Sequence, residues 1–167
     1  VELDVKKNLD FIGLRGLSFV CNAAYIYSRV RFEEGAPERD RPLAGQSPYL
    51  VNAGFFYQYD DKGISASLLY NRIGKRIESV GVPMQNQDED IPDIYEMPRN
   101  SLDLTFSKKI GKIVEIKAGI QDILNSKVEY KQFVKLTDDK GGKSEREQLI
   151  RSYRPGVDIN IGVSLRF

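Results

Sequence analysis

An all-β, antiparallel up-and-down fold is predicted by three observations. Apolar and polar residues alternate with a period of two along most of the 167-residue chain, the repeat of strands whose two faces meet different media. No segment carries the 3.6-residue spacing of an amphipathic helix. Short and long polar connections alternate strictly between the strand-like segments. When consecutive strands pair, that order gathers every long connection at one end of the sheet.

The segments justify this reading one by one. Residues 1–9 set Val1, Leu3 and Val5 on one side, and residues 17–32 repeat Phe19, Cys21, Ala23, Tyr25 and Tyr27. In 48–59, Tyr49, Val51, Ala53, Phe55, Tyr57 and Tyr59 oppose Asn52, Gly54 and Gln58. The segment from 64 to about 77 opens with Ile64, Ala66, Leu68 and Tyr70 against Ser65, Ser67 and Asn71. Residues 100–109 set Leu102, Leu104 and Phe106 against Ser101, Asp103, Thr105 and Ser107. From 113 onward Val114, Ile116, Ala118 and Ile120 oppose Glu115, Lys117, Gly119 and Gln121, and after an irregular stretch at 122–126 the pattern resumes over 127–136. The last eleven residues, VDINIGVSLRF, alternate without a break to Phe167. The count is about seven strands, or eight if the irregular stretch divides one. The connections are 10–16, 33–47 (long), 60–63 (tight), 78–99 (long), 110–112 (tight) and 137–155 (long).

Composition removes several functions. A net charge of +1 gives no electrostatic reason to expect nucleic acid or an acidic substrate. Histidine is absent, which excludes Ser-His-Asp and Cys-His catalysis and any His-ligated metal. The sequence fixes no separation between two carboxylates, so no acid/base couple is defined. No catalytic residue, metal ligand or cofactor is expected, and the chain does not read as an enzyme. Cys21 is the single cysteine and sits where a small hydrophobe belongs. No run of about 18 apolar residues offers a transmembrane helix. The opening VELDVKKNL alternates like a strand and lacks the features of a signal peptide.

Two environments produce such alternation. In a soluble β-sandwich the apolar face packs on a second sheet. In an outer-membrane barrel it faces lipid, and the polar face lines the interior. Strands of about 9 to 15 residues exceed the roughly 5 or 6 usual in soluble sheets and match the roughly 9 to 11 that cross a bilayer obliquely. Long loops at one end and tight turns at the other fit the extracellular and periplasmic sides of such barrels. Tyr25, Tyr27, Tyr57, Tyr59 and Tyr70 cluster toward strand ends on the apolar face, where an aromatic girdle would lie. The expected fold is therefore a transmembrane β-barrel segment over 1–167, with a soluble sandwich binding module or a small complete barrel as alternatives. In it Val157, Ile159, Ile161, Val163 and Leu165 form the lipid-facing side of the closing strand.

The residues also resemble a family. The stretches RPLAGQSPYLVNAGFFYQYDDKGISASLLYNRIGKRI (41–77) and IYEMPRNSLDLTFSKKIGKIVEIKAGIQDILN (94–125), followed by a long loop, SYRPG and a final strand ending in an aromatic, are similar to the distal barrel strands of TonB-dependent outer-membrane receptors. Ile123-Leu124 stands where many relatives have Leu-Phe. The likeness implies the C-terminal part of a 22-stranded barrel that encloses an N-terminal plug, in the outer membrane of a Gram-negative cell. It implies active uptake of a scarce nutrient such as a metal chelate, glycan or peptide. The partners it implies are outer-membrane lipid, the rest of the barrel and its plug, TonB through the N-terminal part, and the barrel-assembly machinery, for which Phe167 resembles the terminal signal. Nothing in these residues resembles the plug or the TonB-contacting segment, so the stretch is expected to be the C-terminal part of a larger barrel. An odd set of about seven strands would leave open edges at 1–9 and 157–167.

Further candidates have plainer explanations. Asp88, Glu89, Asp90 and Asp93 in the stretch 85–96 offer oxygen to a ligand or Ca²⁺, but they lack the spacing and glycine turn of a dedicated cage, so a solvated loop is the simpler reading. Arg72, Lys75 and Arg76 either line a binding lumen, contact acidic outer-leaflet lipid, or serve as ordinary rim charge. Lys140-Gly141-Gly142-Lys143 lies in a polar loop, not between a strand and a helix, so it reads as a flexible tip and not a phosphate loop.

Overall fold

The computed structural model of the chain describes residues 1–36, 40–84, 90–137 and 142–166. Among them the alternating segments form β1 (Glu2–Asn8), β2 (Leu17–Tyr25), β3 (Tyr49–Tyr59), β4 (Ile64–Ile73), β5 (Arg76–Ser79), β6 (Ile94–Glu96), β7 (Arg99–Ile110), β8 (Val114–Gln121), β9 (Val128–Thr137), β10 (Lys143–Tyr153) and β11 (Asp158–Leu165). Every pairing is antiparallel. A seven-stranded sheet runs β1-β2-β3-β4-β7-β8-β11, and a four-stranded sheet runs β10-β9-β6-β5. The expected all-β antiparallel meander is therefore present, with seven strands in its main sheet.

The two sheets repeat one lateral order, because β4 leads into β5, β6 into β7, β8 into β9 and β10 into β11. Pairing of β4 with β7 ends at Ile73↔Arg99 and resumes at Arg76↔Glu96, with two residues skipped on each side. One skipped residue is Pro98, which has no N–H to donate to a ladder. Another is Gly74, where a Cβ would lie 2.7 Å from the Tyr49 ring. The joint between β8 and β9 is different. Six residues (122–127) separate these strands, whereas four (154–157) separate β10 from β11 across the ladder. The two extra residues are taken up by a bulge in which Asp122 (φ 53°) and Asn125 (φ 43°) adopt left-handed backbone, a conformation their short polar side chains tolerate.

Several boundaries differ from the expectation. The second strand stops at Tyr25 and does not reach residue 32, so Tyr27 lies past its end, 74% exposed. The fourth segment is divided at Gly74-Lys75, and residues 127–136 leave the main sheet for the smaller one. Two of the long connections are partly strand: 78–99 contains β6 and 137–155 contains β10. Both escaped a period-two search because they are charged on one face and aromatic or charged on the other. The connections at the opposite end are short, as at Gly63, whose φ of 59° closes the turn between β3 and β4 and whose carbonyl accepts the Lys109 N–H at 2.7 Å.

The sheet is open. Its order ends at β1 and β11, which do not pair with each other, so no closed barrel forms. The accessible surface is 12198 Å², against about 8,400 Å² for a compact globule of 19.0 kDa. Among the described residues only Ile77 and Val128 are buried apolar side chains. Neither sheet covers a face of the other, so the packed interior of a sandwich is not built.

Candidate functional site

The residues that a soluble protein would bury form one open face. Cross-strand register stacks them in rows: Phe19, Phe55, Leu68, Leu104, Ile120 and Ile159 in one, and Leu17, Tyr57, Ala66, Phe106, Ala118 and Ile161 in the next. The Phe19 and Phe55 rings meet at 5.2 Å between centroids. Ile159, Ile161, Val163 and Leu165 are 56–77% exposed, and Val157, just before β11, is 45% exposed. A monomer in water rarely leaves a patch of this extent uncovered.

The band has sharp edges. At the long-loop end Tyr25 pairs with Tyr49, and the Tyr70 hydroxyl donates to Asn100 Oδ1 at 2.8 Å. Arg72 lies in the same layer and donates to Tyr49 Oη at 3.3 Å and to Asn100 Oδ1 at 2.8 Å. Beyond it and past Gly74, on the same face, stand Arg76, Glu96, Tyr130 and Arg151, in register across the smaller sheet. At the tight-turn end Tyr57 and Tyr59 are followed by Lys62, whose ammonium lies 5.5 Å from the Tyr59 ring centroid, and by Lys108. The expected girdle is thus divided between two rims, with Tyr25 and Tyr70 at one, Tyr57 and Tyr59 at the other, and Tyr27 off the strand. Tyr49 belongs to the first rim and is recognisable only once register is known. From Tyr49 to Tyr59 there are ten residue steps, or about 33 Å of strand, which at a tilt of ~45° spans about 23 Å. The apolar belt of an outer-membrane barrel is about 25 Å tall.

The opposite face is hydrogen-bonded and polar. Asp4, Asn22, Asn52, Asn71 and Ser101 stand in one row across five strands. Asn22 Nδ2 donates to Asp4 Oδ1 at 2.6 Å and to Glu2 Oε1 at 2.8 Å, and Asn71 donates to Asn52. The Ser65–Ser107 and Ser67–Thr105 hydroxyl pairs, at 2.8 and 2.6 Å, continue the pattern toward the turns.

Where the sheets meet, the β8–β9 bulge is tied to both neighbours. The Asp122 N–H donates to Asp103 Oδ1 and the Ile123 N–H to the Leu102 carbonyl, both at 2.8 Å. On the other side Arg154 Nη1 donates to the Asn125 carbonyl at 2.8 Å, and the Gly156 N–H to Asn125 Oδ1 at 3.1 Å. Arg99 pairs with the buried Asp122. A cavity of about 330 Å³ opens beside this pair, lined by Arg99, Ser101, Asp103, Gln121, Asp122, Pro155, Gly156 and Asp158. Arg99 Nε and Asp122 Oδ1 are buried without a hydrogen-bond partner among the described residues.

In the smaller sheet the Lys75 ammonium sits 4.3 Å from the Tyr95 ring centroid and 4.6 Å from that of Phe133. Burial, helped by Asp93 nearby, holds the Tyr95 hydroxyl above its ordinary pKa. Lys131 donates to Glu147 at 2.6 Å, and that hydrogen bond raises its pKa. Of the acidic loop, Asp90 Oδ1 accepts the Met84 N–H and Asp93 Oδ1 the Gly81 N–H, both at 2.8 Å, so these carboxylates fasten the β5–β6 tip where Val82 bridges Ile91. Asp88, Glu89 and Phe167 lie outside the described residues. Among the described residues no cluster of three or more acidic, Cys or His side chains is placed to hold a metal.

Comparison of the chain with protein-family models, with curated proteins and with solved structures finds no match.

Proposed function

We propose that the chain is the C-terminal barrel part of a TonB-dependent outer-membrane receptor for active nutrient uptake, seated with its apolar face in lipid. The observation that carries this reading is the band itself: an uncovered apolar face ten residue steps long from Tyr49 to Tyr59, edged by tyrosine and cation at both rims, backed by a hydrogen-bonded polar face. The connections 26–48 and 80–93 at one end, against the tight turns 60–63 and 111–113 at the other, support it. So does the openness of the sheet, since β1 and β11 leave ladder groups unpaired that lipid cannot satisfy. In the receptor those edges join the remaining strands of the barrel.

The narrower assignment to nutrient uptake rests on the resemblance at 41–77 and 94–125. Fractionation of cells that make the polypeptide carrying residues 1–167 tests the membrane reading. Recovery in the outer membrane, resistant to alkaline washing and released by detergent, is the expected result. Recovery as a monomer in aqueous buffer without detergent contradicts it.

A further inference from the structure

We infer that Arg72 and Arg151 each bind the phosphate of an anionic membrane lipid at and beyond the long-loop rim of the apolar band. This inference rests on the membrane reading above and adds the lipid chemistry that the rim selects. Arg72 belongs to the apolar face by register, alternating with Asn71 and Ile73 and standing opposite Val51 and Asn100. Its guanidinium is oriented by neutral groups only, Tyr49 Oη at 3.3 Å and Asn100 Oδ1 at 2.8 Å. Among the described residues no carboxylate pairs with it. Those two bonds occupy part of a five-donor fork and leave the rest for an anion.

Arg151 repeats the arrangement farther out, in the row of Arg76, four residues beyond Arg72 along the strands. Its guanidinium lies over the Tyr130 ring at 4.0 Å, with the Tyr153 ring at 5.8 Å, and no ion pair with a described carboxylate neutralises it. The same row contains its own contrast, because Arg76 is paired to Glu96 at 2.6 Å and carries no spare charge. Two uncompensated arginines thus follow the apolar surface on which acyl chains would lie, Arg72 at its edge and Arg151 about 13 Å of strand farther out, so that each meets a phosphate of its own. Guanidinium meets phosphate through two parallel hydrogen bonds, and each basic residue near an anionic surface strengthens binding by about fivefold.

The test is native mass spectrometry of the detergent-solubilised polypeptide with phosphatidylglycerol or phosphatidylcholine added. The wild type should retain phosphatidylglycerol in preference to phosphatidylcholine. Arg72→Gln or Arg151→Gln should each weaken that preference about fivefold, and the double variant about thirtyfold. Lys117→Gln, on the opposite face, should leave it unchanged. Equal retention of the two lipids, an unchanged double variant, or displacement of the lipid by millimolar inorganic phosphate would overturn this lipid binding while leaving the membrane reading intact. A polypeptide that retains neither lipid and stays monodisperse without detergent would overturn both.

Discussion

The two sheets share one lateral order and little else. The seven-stranded sheet keeps an unbroken register in all six of its pairings, alternates cleanly, and leaves its apolar face open. The four-stranded sheet slips register in two of its three pairings and charges the continuation of that same face with Arg76, Glu96 and Arg151. Yet it and its joint with β8 hold both buried apolar side chains, Ile77 and Val128, together with ion pairs and cation–aromatic contacts. A sheet that carries charge on both faces builds its own small interior. The other gains nothing by folding over itself if lipid covers one face. The change from one regime to the other falls within a few residues, at Gly74-Lys75 and at the Asp122 bulge.

The largest expected effect breaks this contrast on the apolar side. Ile159→Lys places a charge inside the band, in the row of Phe55, Leu68, Leu104 and Ile120, at a cost of about 2–4 kcal/mol in lipid, and should abolish surface assembly. Asn160→Lys, one residue along on the polar face, should assemble normally. Protease or antibody access on intact cells measures both, and equal behaviour of the two faces would remove the distinction between them.

A smaller effect is expected at the joint. Asp122→Ala leaves the half-buried Arg99 guanidinium without its counter-charge and removes the carboxylate beside the cavity. A loss of roughly 1–3 kcal/mol in urea unfolding is predicted. Hydrogen exchange should rise at the β8–β9 joint and in the smaller sheet, while β2–β4 exchange as before. Uniform loosening of both sheets would show that they are not separate regimes.

The smallest effect concerns pH. Tyr95 titrates above its ordinary value because burial and Asp93 disfavour the phenolate. The folded state therefore binds this proton more tightly than the unfolded one. Its contribution is fully present below the unfolded tyrosine pKa of about 10 and is lost as pH rises through the higher folded value. Alkaline titration followed by exchange in the smaller sheet should detect this loss. Tyr95→Phe should remove it, and an unchanged alkaline profile in that variant would refute the assignment.

The main sheet was legible in the sequence because each strand keeps one apolar and one polar face without a slip of register, so period two survives from Leu17 to Leu165. β6 and β10 were not legible. Tyr95 and Glu96, or Glu145, Arg146 and Glu147, put polar or aromatic groups on both faces, and hydropathy carries no period there. The Tyr49, Tyr70, Arg72 and Asn100 layer required register, which relates residues up to 51 positions apart. The irregularity at 122–126 was visible, but not that Asp122 and Asn125 would anchor it to β7 on one side and to Arg154 and Gly156 on the other. Cross-strand partners of this kind are set by the pairing of distant segments, not by local pattern.

The chain has no tryptophan, so a single one reports its own surroundings without background. The most direct test of the lipid-facing claim places tryptophan in turn at positions 159 to 163 of the polypeptide carrying residues 1–167, assembled in vesicles of bromine-labelled lipid. Quenching at Ile159, Ile161 and Val163, with none at Asn160 and Gly162, is the predicted result. Quenching without that alternation, or at none of the five positions, would contradict it.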